Sequence, residues 1–143
     1  MYTIDASVHI NAINPNEAGS STSQSFLTTL GQSGLPLFCP TLLLVEVSAT
    51  VARSWDSTRQ AIAVATALRR WPNQTLVALD EGLAERAIHL AATVRLRGAD
   101  AVYAAVAEYY GTTLITLDQQ QLERLPPIVR VLRPADVLRE LAR

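Results

Sequence analysis

The sequence predicts an α/β fold of three layers, α/β/α, with a mostly parallel sheet held between helices. Three observations carry that expectation. Short apolar runs of strand length, such as Tyr2-Thr3-Ile4 and Thr113-Leu114-Ile115-Thr116-Leu117, alternate with longer stretches of helical spacing. The junctions are marked by Pro40, Pro72, Gly98, Gly111 and Pro134, residue types that end or open regular elements. A length of 143 residues with 49% hydrophobic content suits one ordered domain, residues 1–143, around one core.

Each element has its own local reason. Tyr2 to Asp5 reads as a strand, with a helical turn from Ser7 to Ile13 after it. The polar stretch Asn14 to Ser23 reads as a loop leading into a helix from Gln24 to Gly31. Leu37 to Cys39 is a second strand ended by Pro40, and Thr41 to Ser54 has helical spacing with Thr41 as the candidate cap. A further helix runs from Asp56 to Trp71 and stops at Pro72, after which Thr75 to Leu79 is strand-like. Asp80 caps a helix from Glu81 to Leu96; Gly98 breaks the pattern, and an alanine-rich helix from Asp100 to Tyr110 ends at Gly111. Thr112 to Leu117 follows as a strand, Ile128 to Leu132 as a short one, and Pro134 to Ala142 as a helix with proline in its first turn.

Composition excludes several classes of function. A net charge of -1 is too small for polyanion binding by bulk electrostatics, and with no lysine among the twelve cationic residues any phosphate contact must use arginine, whose planar fork binds bidentately. The lone Cys39 forms no internal disulfide and suits a reducing cytoplasm. No apolar run reaches the ~20 residues of a membrane span, and the N-terminus lacks the organisation of a signal peptide, so a cytosolic protein is expected.

Four acids stand where an open sheet can gather them. Asp5 and Asp118 each close an apolar strand, and the carboxyl ends of parallel strands are where such sheets bind ligands. Glu46 interrupts Leu42-Leu43-Leu44-Val45 and Val47, and Asp100 lies between Ala99 and Ala101-Val102, so both acids sit among core-facing side chains and need partners. Carboxylates held together repel unless a cation neutralises them, and hard oxygen ligands select Mg²⁺ or Mn²⁺. Such an ion assists phosphodiester hydrolysis. Taken singly, Asp5 also reads as a helix cap, Asp118 as a turn opener, Asp100 as a favourable charge at a helix N-terminus and Glu46 as the partner of an arginine.

In chain order, Asp5-Ala6-Ser7-Val8, Leu44-Val45-Glu46-Val47, Gly98-Ala99-Asp100-Ala101 and Thr116-Leu117-Asp118 resemble the motifs of PIN-domain ribonucleases, in particular the compact VapC toxins of toxin–antitoxin pairs. The resemblance spans essentially the whole chain. It implies a PIN-like fold and a Mg²⁺- or Mn²⁺-dependent endoribonuclease whose metal site is formed by Asp5, Glu46, Asp100 and Asp118, with the hydroxyls of Ser7 and Thr116 ordering it. A homodimer and a cognate antitoxin are implied as well. Many members carry a further acid shortly after the one matching Asp118, whereas Gln119, Gln120 and Gln121 are uncharged here, so at least one ion is expected; Gln121 reads as a solvated loop residue, with an amide oxygen offered to the site or to a water as the alternative.

Arg53, Arg95 and Arg97 are the candidate RNA contacts, Arg53 lying two turns after Glu46 and the others immediately before Asp100. On that reading, losing Arg97 weakens RNA binding and leaves metal affinity little changed. His9 and His89 read as surface or satisfied core residues, and Trp55 and Trp71 as packing or dimer-face residues. A non-catalytic RNA-binding or scaffold module of the same fold is the alternative function. Receiver domains and aspartyl-phosphate phosphatases are disfavoured by the absence of lysine.

Overall fold

Thr3 and Ile4 are consecutive, so in a strand they point to opposite faces, yet both are fully buried. Both faces of that strand are therefore covered, as in parallel α/β sheets. The computed structural model describes residues 1–143. Its elements are β1 (Tyr2–Ile4), α1 (Ala6–Ile13), α2 (Ser20–Ser33), β2 (Leu37–Pro40), α3 (Leu42–Trp55), α4 (Thr58–Arg69), β3 (Gln74–Val77), α5 (Glu81–Val94), α6 (Gly98–Tyr110), β4 (Thr113–Ile115), α7 (Gln119–Arg124), β5 (Val131–Leu132) and α8 (Pro134–Leu141). The sheet runs β3-β2-β1-β4-β5, and every pairing is parallel. Helices flank it in the expected α/β/α arrangement.

The strand order places β1 at the centre, with β2 on one side and β4 on the other. Tyr2, Thr3 and Ile4 pair with Thr113, Leu114 and Ile115 in order, so the chain leaves both strands at the same level. This is the point at which the order reverses, and it opens a crevice beyond the strand ends. Helix α6 packs on β1, β2 and β4 and carries α5 on its back, while α1 packs on α2 and α3. A single apolar cluster joins both layers to the sheet, from Ile4 and Val8 through Val47 to Tyr103, Leu114 and Val137.

Several expectations are corrected by the structure. Thr41 has helical backbone angles and makes no side-chain cap. Asp56 does not open α4 but ends α3 in a left-handed conformation, and Ser57 caps α4 by accepting from the Gln60 amide at 3.2 Å. The loop expected up to Ser23 already becomes α2 at Ser20, because Ser20 and Ser23 are buried against α1 and donate to Ala12 O and Asn11 Oδ1. Helix α7 was not expected at all. His9 is buried against Trp71, edge to face at 5.8 Å, but its Nε2 has no partner, so it is a core histidine without satisfaction. His89 is exposed, 3.6 Å from Glu85.

Candidate metal centre

Asp5 sits one residue past β1, where its amide donates to Ile115 O of β4 at 2.9 Å. That bond fixes its backbone at the mouth of the crevice. Asp5 is also the N-cap of α1, its Oδ2 accepting from the Ser7 amide at 3.0 Å. Thr116, just beyond β4, donates its hydroxyl to the same oxygen at 3.3 Å. The reading of Asp5 as a cap is met, and the same side chain faces the crevice.

Asp118 repeats the arrangement from the neighbouring strand. It caps α7, accepting from the Gln121 amide on Oδ1 at 3.0 Å, and its own amide donates to Thr116 Oγ1 at 3.0 Å. The Ser7 hydroxyl accepts from the Leu117 amide at 3.1 Å and lies 3.4 Å from Thr116 Oγ1. Ser7 and Thr116 therefore tie the two strand ends together. Asp100 enters from the first turn of α6 and Glu46 from the second turn of α3. One cleft is lined by Asp5, Ser7, Glu46, Arg97, Asp100 and Asp118, so four elements deliver the four expected acids to one place.

Two residues donate hydrogen bonds into this cluster, and one of them carries a positive charge. Arg97, directly before α6, donates from Nε to Asp100 Oδ2 at 3.0 Å and from Nη2 to Asp118 Oδ2 at 2.7 Å. Gln121 is not a solvated loop residue: it is fully buried and donates from Nε2 to Asp100 Oδ1 at 2.8 Å and Asp5 Oδ1 at 3.2 Å. Its burial follows from the α7 cap, which turns the side chain back toward β1. The pattern Asp118-x-x-Gln121, an acid followed three residues later by glutamine, was the available sign of a helix start.

The electrostatics follow from burial. Burial raises the Asp5 pKa, opposed by the Ser7 and Gln121 hydrogen bonds and reinforced by the Asp100 charge. The Glu46 pKa is likewise raised by burial, with the nearby Tyr103 hydroxyl lowering it and the Asp5 and Asp100 charges raising it further. Tyr103 was also missed in the sequence, although its place one turn after Asp100 puts it on the same face of α6. Neither its hydroxyl nor Glu46 Oε1 makes a hydrogen bond of good geometry, and both atoms are buried.

The donor set is made of carboxylate oxygens, with the Tyr103 hydroxyl as the one donor beside Glu46, and hard oxygen ligands of this kind fit a hard divalent cation. No three acidic, histidine or cysteine side chains, however, are arranged to hold an ion directly. Arg53 and Arg95 lie outside the cleft: Arg53 is exposed near the end of α3, 3.5 Å from Thr50 Oγ1, and Arg95 ends α5 in a left-handed conformation. Of the three candidate RNA contacts, only Arg97 joins the acids.

The family model described as PIN domain matches residues 2–126. The chain belongs to the PIN-domain family. PIN domains are nucleases, and the parallel sheet with acids at its switch point is the arrangement on which this one is built. Its fold is shared with solved structures of low sequence identity. VapBC2 from Rickettsia felis, bound to a DNA fragment from its promoter, matches with a TM-score of 0.70 at 14% identity over 92% of this chain and 97% of that one. Mycobacterium tuberculosis VapC20, described as a sarcin–ricin loop cleaving toxin, matches at 0.69 and 17% identity over 83% and 91%. A toxin–antitoxin complex from Klebsiella pneumoniae matches at 0.65 and 16% identity over 94% and 98%. No curated protein matches the sequence.

Proposed function

We propose that this PIN domain is a Mg²⁺- or Mn²⁺-dependent endoribonuclease and the toxin of a type II toxin–antitoxin pair. The observation that carries the reading is the convergence of Asp5, Glu46, Asp100 and Asp118 on one cleft. These four residues would hold the ion. Such an ion would supply Lewis acidity toward a phosphate oxygen and toward the attacking water. Ser7 and Thr116 keep Asp5 and Asp118 on their strand ends, and Gln121 fixes the orientation of Asp5 and Asp100. Arg97, at the rim, would meet a phosphate on leaving the carboxylates, and the exposed Arg53 and Arg95 would extend the path of the RNA.

The proposed partners rest on separate grounds. RNA as substrate is supported by the description of VapC20, and an antitoxin by the complexes that share the fold. A homodimer would cover the apolar groove lined by Leu42, Leu79, Ala84, Ile88, Ala91 and Val102, where Leu79 and Ile88 are exposed. No helix is long and apolar enough to cross a membrane. Buried, unpaired Cys39 suits the reducing cytoplasm proposed for it.

The direct test incubates purified, partner-free protein with total RNA in Mg²⁺, in Mn²⁺ and in chelator, and maps the new RNA ends. Discrete ends with either ion and none in chelator are expected. RNA binding without cutting under all three conditions would favour the non-catalytic module instead, a reading supported by the seat of Arg97 on Asp100 and Asp118 and by the lack of three acids arranged to hold an ion directly.

A further inference from the structure

All six carboxylate oxygens of the three aspartates are engaged. Asp5 Oδ2 accepts from Ser7 N and Thr116 Oγ1, and its Oδ1 from Gln121. Asp100 is shared between Gln121 on Oδ1 and Arg97 on Oδ2; Asp118 accepts from the Gln121 amide on Oδ1 and from Arg97 on Oδ2. These donors differ in how freely they can leave. Thr116 and Gln121 are fully buried, and the two backbone amides belong to helix N-termini. Arg97 alone is long, charged and 67% exposed, so only it can withdraw without unfolding something.

Resting on the metal-dependent reading above, we propose that Arg97 is the resident cation of the metal-free site, that it competes with the divalent ion for Asp100 and Asp118, and that metal entry expels it. The geometry requires a choice. Asp100 Oδ2 and Asp118 Oδ2 face one guanidinium, which spans them through Nε and Nη2, and an ion placed between them would meet a like charge at bonding distance. A compact divalent ion draws more from clustered carboxylates than a diffuse monovalent group does. Once expelled, the guanidinium remains tethered at the cleft rim, where a phosphodiester can pair with it bidentately. Metal and polyanion then favour each other's binding, because the ion frees the group that the anion needs. This departs from the sequence-based expectation that Arg97 touches RNA alone and leaves metal affinity little changed.

The test titrates Mn²⁺ by calorimetry into the full chain at pH 8, as wild type, Arg97→Gln and Arg97→Lys, and melts each protein in chelator and in saturating Mn²⁺. Exposed ion pairs are individually weak, so an effect of about fivefold is expected: Arg97→Gln binds Mn²⁺ about fivefold more tightly than wild type. Arg97→Lys, which keeps the charge, lies between them. Arg97→Gln should also melt lower than wild type in chelator and no lower in Mn²⁺, since the ion takes over the role of the lost guanidinium. A structural ion pair alone would lower both melts and leave affinity unchanged or weaker. That pattern, with wild type binding Mn²⁺, overturns the competition and spares the metal site. If neither wild type nor Arg97→Gln binds Mn²⁺, the metal-dependent reading falls and the competition with it.

Discussion

Gln121 Nε2 lies 2.8 Å from Asp100 Oδ1, a neutral donor bonded to an acid inside a cleft of acids. The amide links Asp100 to Asp5 without adding a charge, in a position where a fifth carboxylate would raise the repulsion. Gln121→Glu preserves shape and reverses the interaction, so the metal-free protein should lose on the order of 3 kcal/mol. Saturating Mn²⁺ should restore more stability to this variant than to wild type, because the ion gains an oxygen ligand. Urea unfolding in chelator and in Mn²⁺ measures both changes; equal metal-free stability would show that the amide contributes no support to the acids.

Asp5→Asn should abolish RNA cleavage while leaving the metal-free fold as stable as wild type or more so. Asparagine keeps the α1 cap, and it removes a carboxylate that burial already disfavours. Melting in chelator, alongside an RNA assay, checks this, and a large loss of metal-free stability would make Asp5 a structural cap only.

Mg²⁺ or Mn²⁺ at about a hundred times its dissociation constant should stabilise the folded chain by about 2.7 kcal/mol. Glu46→Gln and Asp100→Asn should each lose most of that gain, since each replaces a charged oxygen with a neutral amide. Cleavage should fall in parallel. A thermal-shift titration reads the effect, and a wild-type melting temperature indifferent to both ions would remove the metal from the account.

His9 makes stability depend on pH through a group outside the cleft. Burial lowers its pKa to about 4, from 6.5 in the free side chain. On acidification the unfolded chain therefore takes up this proton first, so the stability His9 contributes is complete above pH 6.5 and is lost as the pH falls toward 4. The loss is about 3 kcal/mol. Asp5 and Glu46, with raised pKa values, act in the opposite sense, gaining stability as they are protonated. Comparing wild type with His9→Leu isolates the histidine: the variant should lose less stability between pH 6.5 and 4, and identical slopes would contradict the buried neutral imidazole.

Much of the fold was legible because apolar runs and their stops are local signals. β1, β2 and β4, the helix through Glu46 and the glycine that ends α6 all follow from short-range patterns. The four acids were legible for a related reason: each is a charge inside or at the end of an apolar run, where the chain has no cheap place for it. What was not legible depends on polar groups buried by other elements. Ser20 and Ser23 extend α2 only because α1 offers Asn11 Oδ1 and Ala12 O. Gln121 looks solvated until Asp5 and Asp100, from distant parts of the chain, meet its amide. The same holds for Arg97, whose neighbours in sequence point to Asp100 but not to Asp118.

The position of β1 between β2 and β4 also fixes an order of events during synthesis. β2 can pair with β1 once residue 40 has emerged, but β4 begins at Thr113, and Asp118 comes later still. Until then the first strand keeps one open edge and the cleft holds at most three of its acids. A nascent chain on the ribosome is therefore without its full set of acids until Asp118 has emerged, so the proposed activity is withheld from the machinery that produces it until β4 has been made.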